Sequence, residues 1–263
     1  MSVVGRVESL WRYPVNSMRG EELREAFIAF PGVFGDRLCA FMNSGAPKGF
    51  PYLTGRELEQ MLLYRPRFRH AERAAKPVNL VDAEKIAPGL TPLYPGPSDL
   101  VVDVETPSGD VLAIDDPALI SLLRKAIRDE PALELLRSDR AMTDCRPISL
   151  ISNATVRRLG EEIGAAMDKR RFRANVYVDL ESGAGFSEDA FVGRKLQIGL
   201  KAVIAVLERD PRCKMITLDP DTAEANSQLL RQVVQVHNGN AGVYGAVLVE
   251  GIVHAGDEIV LLT

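Results

Sequence analysis

The chain has 263 residues, of which 46% are hydrophobic and 26% charged, and its formal net charge is −4 at pH 7. This composition is ordinary for a soluble globular protein with one large domain or two small ones, and the negative net charge argues against a general nucleic-acid binder. The first residues lack the pattern of a signal peptide, and no apolar run approaches the roughly 20 residues that span a bilayer. We therefore expect a cytoplasmic protein that does not bind nucleic acid or enter a membrane.

Residues 1–115 are predicted to form mainly β-strands. Apolar and polar residues alternate imperfectly over 3–15, a second strand-like segment covers 36–43, and the turn Pro107-Ser108-Gly109 predicts a hairpin. Turns at short intervals along a β-rich segment favour a barrel or a strongly curved sheet.

Residues 116–263 are predicted to start with a helical connector and to continue as a second β-rich unit. Asp116 can cap a helix in which Pro117 takes the first position, and 129–137 predicts a second helical piece. A helix capped by Ser152 or Asn153 is expected to end near 167. The other predicted elements are strands over 148–151, 171–180 and 195–210, a helix over 226–236, and two strands within 243–262. The expected fold class is mainly β with peripheral helices (α+β).

The three cysteines form an odd and sparse set that fits neither a disulfide framework nor a C-x-x-C metal site. Cys39 lies in a strand-like segment and is expected to be a buried apolar residue. Cys213 directly follows Arg212, with further cations nearby, and cationic neighbours favour the thiolate, which is the form that ligates metals. Soft thiolates suit thiophilic metals such as molybdenum. The alternative interpretation of Cys213 is a strand-edge cysteine beside a surface turn.

A second candidate site follows from the predicted strand over 171–180. Arg171, Arg173 and Asn175 would alternate onto one strand face, where two guanidinium groups and an amide could hold an anionic heterocycle. A solvated strand face explains the same pattern equally well.

Two basic turns in the first part of the chain are candidates for a phosphate site. After Pro14, the hydroxyl of Ser17, the neighbouring backbone amides and Arg19 could meet a phosphate. Arg56 places a second guanidinium group in the turn after Thr54-Gly55.

Five segments of the chain carry a family resemblance. In chain order they are WRYPVNS, GVFGDRLCAF, RFRANV, RCKMITLDPDT and AGVYGAVLVEGIVHAGDEIVLL. Together they resemble the MOSC family, named for the C-terminal domain of molybdenum cofactor sulfurase, and most of all the branch that includes the mitochondrial amidoxime-reducing component and its bacterial relatives. The resemblance covers nearly the whole chain. It implies an N-terminal MOSC-associated β-barrel domain over 1–115 and a MOSC β-barrel domain over 116–263.

The resemblance also implies a molybdenum cofactor (Mo-molybdopterin) and the residues that hold it. Cys213, the cysteine of the R-C…D-P-D-T segment, would be the metal ligand and the catalytic residue. Arg173 and Asn175 would contact the pterin. The other implied cofactor-binding residues are Asn16, Ser17, Arg56, Ser152 and Arg212.

Asn16 departs from the pattern of that family, which has a lysine at this position. A charge-assisted hydrogen bond contributes about 1.5–3 kcal/mol, against about 1 kcal/mol for a neutral one. The change is expected to weaken cofactor binding about tenfold unless Arg19 or Arg56 compensates. It could instead signal a nucleotide-extended pterin, a hypothesis that mass spectrometry of the released pterin would reject by finding only the mononucleotide form.

The activity implied by the resemblance is reduction of a small-molecule substrate by oxygen-atom removal at a cysteine-ligated molybdenum centre. N-hydroxylated amidines, hydroxylamines and N-oxides are the implied substrate class. Because neither a cysteine-rich ferredoxin tail nor a membrane anchor is recognised, we expect electrons to come from a separate donor protein of the ferredoxin, flavodoxin or cytochrome type. The alternative is a cofactor or sulfur carrier, or a maturation protein, without turnover of its own.

Overall fold

The structure, a computed structural model, describes residues 2–46, 50–86, 91–96, 99–139 and 141–262. The chain forms two compact units, the first made of residues 1–12, 20–33 and 143–263 and the second of residues 13–19 and 34–142. This division differs from the predicted boundary between 115 and 116. The reason is long-range strand pairing, since the N-terminal strand pairs with C-terminal strands and residues 133–137 pair with residues 39–43.

The described residues contain sixteen strands and four α-helices. The strands are β1 (Ser2–Arg12), β2 (Glu21–Leu23), β3 (Glu25–Ala29), β4 (Gly32–Val33), β5 (Cys39–Asn43), β6 (Arg65–Phe68), β7 (Val102–Glu105), β8 (Val111–Ala113), β9 (Leu133–Arg137), β10 (Ile148–Ser152), β11 (Val176–Leu180), β12 (Lys195–Ile198), β13 (Ala202–Pro211), β14 (Asn240–Val249), β15 (Gly251–His254) and β16 (Glu258–Leu262). The helices are α1 (Leu80–Lys85), α2 (Pro117–Lys125), α3 (Asn153–Ile163) and α4 (Ser227–Val236). None of the helices in the described parts of the chain is long and apolar enough to cross a membrane.

Seven strands of the first unit close into a β-barrel. Their order is β11-β10-β14-β13-β12-β16-β1, and β1 pairs with β11 to complete the circle. Every neighbouring pair is antiparallel except β10 and β11, which run parallel because α3 lies between them in the chain. The predicted mainly β fold with peripheral helices is confirmed.

The barrel core comes from alternation along its strands. Successive side chains of a strand point to opposite faces, so apolar residues at every second position gather in one interior. Burying each valine, leucine or isoleucine contributes about 1.5–3 kcal/mol. The buried residues that alternate in this way include Ile148 and Leu150 of β10, Val176, Val178 and Leu180 of β11, and Ala202, Ile204 and Val206 of β13.

The helix caps of the first unit follow the predicted chemistry. Ser152 caps α3 by accepting a hydrogen bond from the Thr155 amide at 3.1 Å. Helix α3 ends at Ile163, earlier than the predicted 167, because Gly164 takes the left-handed conformation at φ +68°. Helix α4 begins after Asn226, as expected from its sequence pattern.

The second unit contains two small sheets in its described residues. One pairs β5 with β9, and the other has the order β6-β7-β8, with the predicted hairpin between β7 and β8. Among the described residues neither sheet closes on itself, and the N-terminal barrel domain stays a prediction. Helix α2 starts as predicted, with the Asp116 carboxylate accepting from the Ala118 amide at 2.8 Å and Pro117 in the first turn.

Three predicted elements are wrong in kind, extent or number. Residues 129–137 do not form a helix, because 133–137 become strand β9 and hydrogen-bond to β5, a long-range pairing that overrides local helix propensity. The strand predicted over 171–180 begins only at Val176, since Lys169–Phe172 form a 3-10 turn. The C-terminal segment holds three strands, β14 to β16, where two were predicted.

Candidate functional site

The Cys213 segment leaves the barrel at the end of β13. Cys213 has an extended backbone and precedes a single 3-10 turn, Lys214–Thr217, whose Ile216 amide donates to the Cys213 carbonyl at 3.2 Å. The Asp219 carboxylate then accepts from the amides of Asp221 and Thr222 at 2.9 and 3.1 Å. These bonds make the Cys213 loop (213–222) an internally hydrogen-bonded turn rather than an open strand edge.

The three thiols lie in different environments. Cys39 is buried, and burial raises the pKa of its thiol to about 11, so it stays protonated at neutral pH. Cys145 is exposed, and Cys213 is partly exposed. The expectation that Cys39 is a buried apolar residue is confirmed, and Cys213 is accessible to a ligand while its backbone is held by the loop.

The cations beside Cys213 are paired with carboxylates. Arg212 Nη2 lies 2.8 Å from Asp210 Oδ2, and both side chains are almost fully buried. Arg209 Nε lies 3.1 Å from Asp189 Oδ2 at the surface. The sequence predicted a cationic environment for the thiol, but both of these guanidinium groups are paired with carboxylates of the protein.

Arg171 holds the Cys213 loop from the outside. Its Nη1 donates to the Thr217 carbonyl and its Nη2 to Asp219 Oδ2, both at 2.8 Å. Burial raises the pKa of Asp219, but the amide bonds from Asp221 and Thr222 and the charge of Arg171 outweigh it and hold this pKa below its usual value. Arg171 therefore holds the loop through hydrogen bonds, whereas the sequence predicted that it binds an anion together with Arg173.

The predicted alternation of Arg171, Arg173 and Asn175 on one strand face is wrong. Asp168 caps the 3-10 turn by accepting from the Arg170 amide at 2.8 Å, and the chain turns there instead of extending. Arg173 ends this turn in the left-handed region at φ +52°, which is uncommon for a residue with a side chain. Backbone strain of this kind costs about 1–3 kcal/mol and tends to occur at functional sites.

Asn175 is buried beside the barrel wall. Its Nδ2 donates to the Trp11 carbonyl and its Oδ1 accepts from the Ser149 amide, both at 3.3 Å. Its own amide donates to the Ser149 carbonyl at 2.9 Å. The side chain thus joins β1 to β10, a structural role that the sequence did not predict.

Ser152 is fully buried and makes structural hydrogen bonds. Besides capping α3, its hydroxyl donates to Glu188 Oε2 at 2.8 Å, and Thr155 Oγ1 donates to Glu188 Oε1 at 2.7 Å. These contacts support helix α3 rather than an exposed ligand surface.

The predicted phosphate segment of the second unit forms a tight turn. The Asn16 amide donates to the Cys39 carbonyl at 2.8 Å, and the Met18 amide donates to the Val15 carbonyl at 3.3 Å. Ser17 takes the left-handed conformation at φ +62°, and its hydroxyl donates to Asn16 Oδ1 at 3.2 Å. Asn16 Nδ2 is buried and has no hydrogen-bond partner among the described residues. A buried amide donor of this kind calls for an oxygen acceptor.

Arg56 lies in a separate turn of the second unit. Thr54 donates to Glu57 Oε2 through both its amide and its hydroxyl, at 3.0 and 2.6 Å, and the Arg56 amide donates to Thr54 Oγ1 at 3.2 Å. The guanidinium group lies 4.5 Å from the centre of the Phe50 ring, a cation–π distance. This turn fixes the backbone from which the Arg56 side chain extends.

The sequence did not predict two residues of the site, Asp210 and Ser149. Asp210 pairs with Arg212, and the Ser149 hydroxyl donates to Asp210 Oδ2 at 2.9 Å. The i, i+2 spacing of Asp210 and Arg212 on a strand was the available signal, because such residues share a face. Ser149 gave no local signal. Within the described parts of the chain, no three His, Cys, Asp or Glu side chains form a group that could hold a metal ion.

Comparison with known proteins gives a family match within the C-terminal part of the chain. The family model described as MOSC domain matches residues 137–260, and MOSC domains are associated with molybdenum cofactor binding. No curated protein sequence matches the chain significantly.

Several solved structures are similar to parts or most of the chain. The YUAD protein from Bacillus subtilis is 14% identical, with 97% of this chain and 94% of that chain covered and a TM-score of 0.47. YiiM from Geobacillus stearothermophilus is 21% identical, with coverages of 45% and 55% and a TM-score of 0.35. YiiM from Escherichia coli is 18% identical, with coverages of 45% and 55% and a TM-score of 0.33. The matched part spans about half the length of the YiiM chains. The narrower resemblance to the amidoxime-reducing branch stays a prediction.

Proposed function

Because the MOSC domain model matches residues 137–260, we propose that the chain binds a molybdenum cofactor and that Cys213 supplies the protein thiolate to the metal. The observation that carries this proposal is a partly exposed thiol on a loop that is held by Arg171 and by its own hydrogen bonds. Thiolate is the metal-binding form of cysteine, and a soft thiolate suits molybdenum.

Each unit carries residues that we assign to cofactor binding. In the first unit, the partly exposed Cys213 fits the metal, and Arg173, strained in the left-handed region, is the residue assigned to the pterin. In the second unit, the buried Asn16 Nδ2 fits an anionic oxygen, so Asn16 and Ser17 are assigned to the phosphate group, as is Arg56. The cofactor contacts assigned to Asn175, Ser152 and Arg212 stay predictions; the polar side-chain atoms of these residues bind protein groups.

The proposed activity is reduction of N-hydroxylated or N-oxide substrates. When bound, the molybdenum centre supplies the redox chemistry for removing an oxygen atom, with electrons from a separate donor protein. The chain contributes binding and orientation: Cys213 ligates the metal, and the bonds from Arg171 to Thr217 and Asp219 keep the Cys213 loop in place. In the second unit, Arg56 would neutralise phosphate charge and Asn16 Nδ2 would donate to the phosphate, while the Ser17 hydroxyl orients Asn16 by donating to its Oδ1.

Turnover of benzamidoxime with reduced methyl viologen as electron donor tests this function. We expect wild-type protein from a molybdenum-replete host to reduce benzamidoxime, Cys213→Ala to lose this activity, and Cys145→Ala, which removes an exposed thiol of the same unit, to keep it. Equal turnover by wild type and Cys213→Ala would contradict the assigned ligand. Bound cofactor that gives no turnover but is transferred to a molybdenum apo-enzyme would instead establish the carrier function.

A further inference from the structure

Arg212 is the centre of a buried polar cluster at the base of the Cys213 loop. Its Nε donates to the Ala241 carbonyl at 2.7 Å and its Nη1 to the Phe172 carbonyl at 2.9 Å. Its Nη2 lies 2.8 Å from Asp210 Oδ2. The exposed fractions of the Arg212 and Asp210 side chains are 6% and 1%, so this pair is shielded from water and from salt.

Of the two carbonyl groups that Arg212 binds, one lies next to the candidate ligand-binding residue Arg173 and the other at the start of β14. Phe172 directly precedes Arg173, and Arg212 directly precedes Cys213. One guanidinium group therefore ties the peptide before Arg173 to the peptide before Cys213. The third tie, at Ala241, anchors both to the start of β14.

Asp210 is itself held in place by the barrel. The Ser149 hydroxyl donates to Asp210 Oδ2 at 2.9 Å. Gly242, at φ +82°, leaves room for the guanidinium group, because a Cβ at this position would lie 3.2 Å from Arg212 Nη2 and 2.7 Å from the Leu150 carbonyl oxygen. The barrel wall thus carries a pocket shaped to orient one arginine.

We propose that Asp210 and Arg212 are a positioning pair that sets Cys213 and Arg173 relative to each other before any ligand binds. The assignment of Cys213 and Arg173 as ligand-binding residues rests on the proposed function. Arginine suits this task because its planar fork donates in fixed directions to several acceptors, which the ammonium group of lysine does not. A site that is ordered in advance loses less conformational entropy when it binds.

Amide hydrogen exchange on the ligand-free protein tests the pair without requiring cofactor. The reporters are the Ile216 amide, bonded to the Cys213 carbonyl, and the Arg173 amide, bonded to the Arg170 carbonyl. We expect Arg212→Lys to accelerate exchange at both reporters at least about tenfold, because lysine keeps the charge but loses the fork. Arg209→Lys is the matched control, since Arg209 is an exposed neighbour whose guanidinium group pairs with Asp189, and exchange at both reporters should stay unchanged.

Two further variants separate positioning from general stability. Ser149→Ala removes one hydrogen bond to Asp210 and leaves Arg212 intact, so we expect a smaller acceleration at the same two reporters. Val206→Ala weakens the barrel core but removes no hydrogen bond of the pair, so its loss of stability should not accelerate exchange at these two amides in particular. In cofactor-loaded protein, Arg212→Lys should also shift the Mo(V) electron paramagnetic resonance g-values, whereas Val206→Ala should not.

The outcomes for the pair and for the proposed function are distinguishable. Unchanged exchange at both reporters in folded Arg212→Lys, or equal acceleration throughout the first unit, would overturn the positioning pair even if molybdenum binds. Absence of molybdenum from the wild type would overturn the proposed function, and the exchange rates of the ligand-free variants would still decide whether Arg212 orders these segments.

Discussion

Asn16 gives the most discriminating test of the phosphate site, because its removal should have different effects on stability and on binding. Only 7% of the residue is exposed, and its Nδ2 has no hydrogen-bond partner among the described residues. In the proposed function this atom donates to an oxygen of the cofactor phosphate. Asn16→Ala removes the donor and leaves a smaller apolar side chain.

The expected magnitudes follow from the two hydrogen bonds at stake. A buried donor without a partner costs about 1–3 kcal/mol, so removing it should raise the free energy of unfolding of the ligand-free protein by this amount. The bond from the Ser17 hydroxyl to Asn16 Oδ1, at 3.2 Å, is lost as well and is worth about 0.5–1.5 kcal/mol. The free energy of unfolding without ligand should therefore lie between about 0.5 kcal/mol below and about 2.5 kcal/mol above that of the wild type. A hydrogen bond to a charged phosphate contributes about 1.5–3 kcal/mol, so the dissociation constant for cofactor should rise about 10- to 100-fold.

The assay combines anaerobic calorimetric titration of the cofactor with urea unfolding of the ligand-free variants. Asn43→Ala is the matched control, because Asn43 is an equally buried asparagine of the same unit whose side chain accepts from the Gly45 amide at 2.9 Å. This control should lose stability without weaker cofactor binding. Asn16→Ala with unchanged affinity, or with a stability loss above about 2 kcal/mol, would refute the reasoning, since Asn16 would then be a structural residue.

Three further predictions concern acid stability, backbone strain and thiol reactivity. Burial raises the pKa of Glu162, but hydrogen bonds from His237 and other neighbours lower it to about 2. Because the pKa of Glu162 is lower in the folded protein than in the unfolded chain, its ionised carboxylate stabilises the fold above about pH 4.5, and this contribution is lost as pH falls toward 2. The urea midpoint of Glu162→Gln should therefore vary less with pH over this window than that of the wild type. Arg173→Gly should abolish cofactor binding while the free energy of unfolding stays constant or rises by about 1 kcal/mol, because glycine accepts φ +52° without strain; a marked loss of stability would show that Arg173 is structural. Iodoacetamide at pH 8 should label Cys145 rapidly and leave Cys39 unlabelled in native protein, as peptide mass spectrometry would show, and rapid labelling of Cys39 would contradict its burial.

Local chemistry was predictable where it depends on neighbours in the sequence. Asp116 and Pro117 mark the start of α2, and Ser152 and Asn226 mark the starts of α3 and α4, because cap residues bond amides two or three positions ahead. The strands of the barrel were recognisable from apolar alternation for the same reason. The prediction of a β-rich C-terminal half with peripheral helices needed nothing more.

Long-range pairing explains what the sequence could not show. Residues 133–137 are a strand because β5 lies beside them, and no local pattern indicates this partner. The N-terminal β1 belongs to the barrel because it pairs with β11 and β16, so the division into units cannot follow chain order.

Around Cys213, the sequence did not show which groups the arginine side chains contact. Cys213 is accessible as the motif suggested, but Arg171 and Arg212 bind protein carbonyls and carboxylates, so the charge count around the thiol was misleading. A 3-10 turn capped by Asp168 sets the directions of the Arg171 and Arg173 side chains, and Asp168 lies outside the segment predicted as a strand.

The central claim is a bond between the sulfur of Cys213 and molybdenum. X-ray absorption at the molybdenum edge, measured on protein purified from a molybdenum-replete host, tests it directly. The account predicts that wild type and Cys145→Ala share one spectrum and that Cys213→Ser has one sulfur neighbour fewer around the metal. A Cys213→Ser spectrum identical to that of the wild type, or wild-type protein without molybdenum, would contradict it.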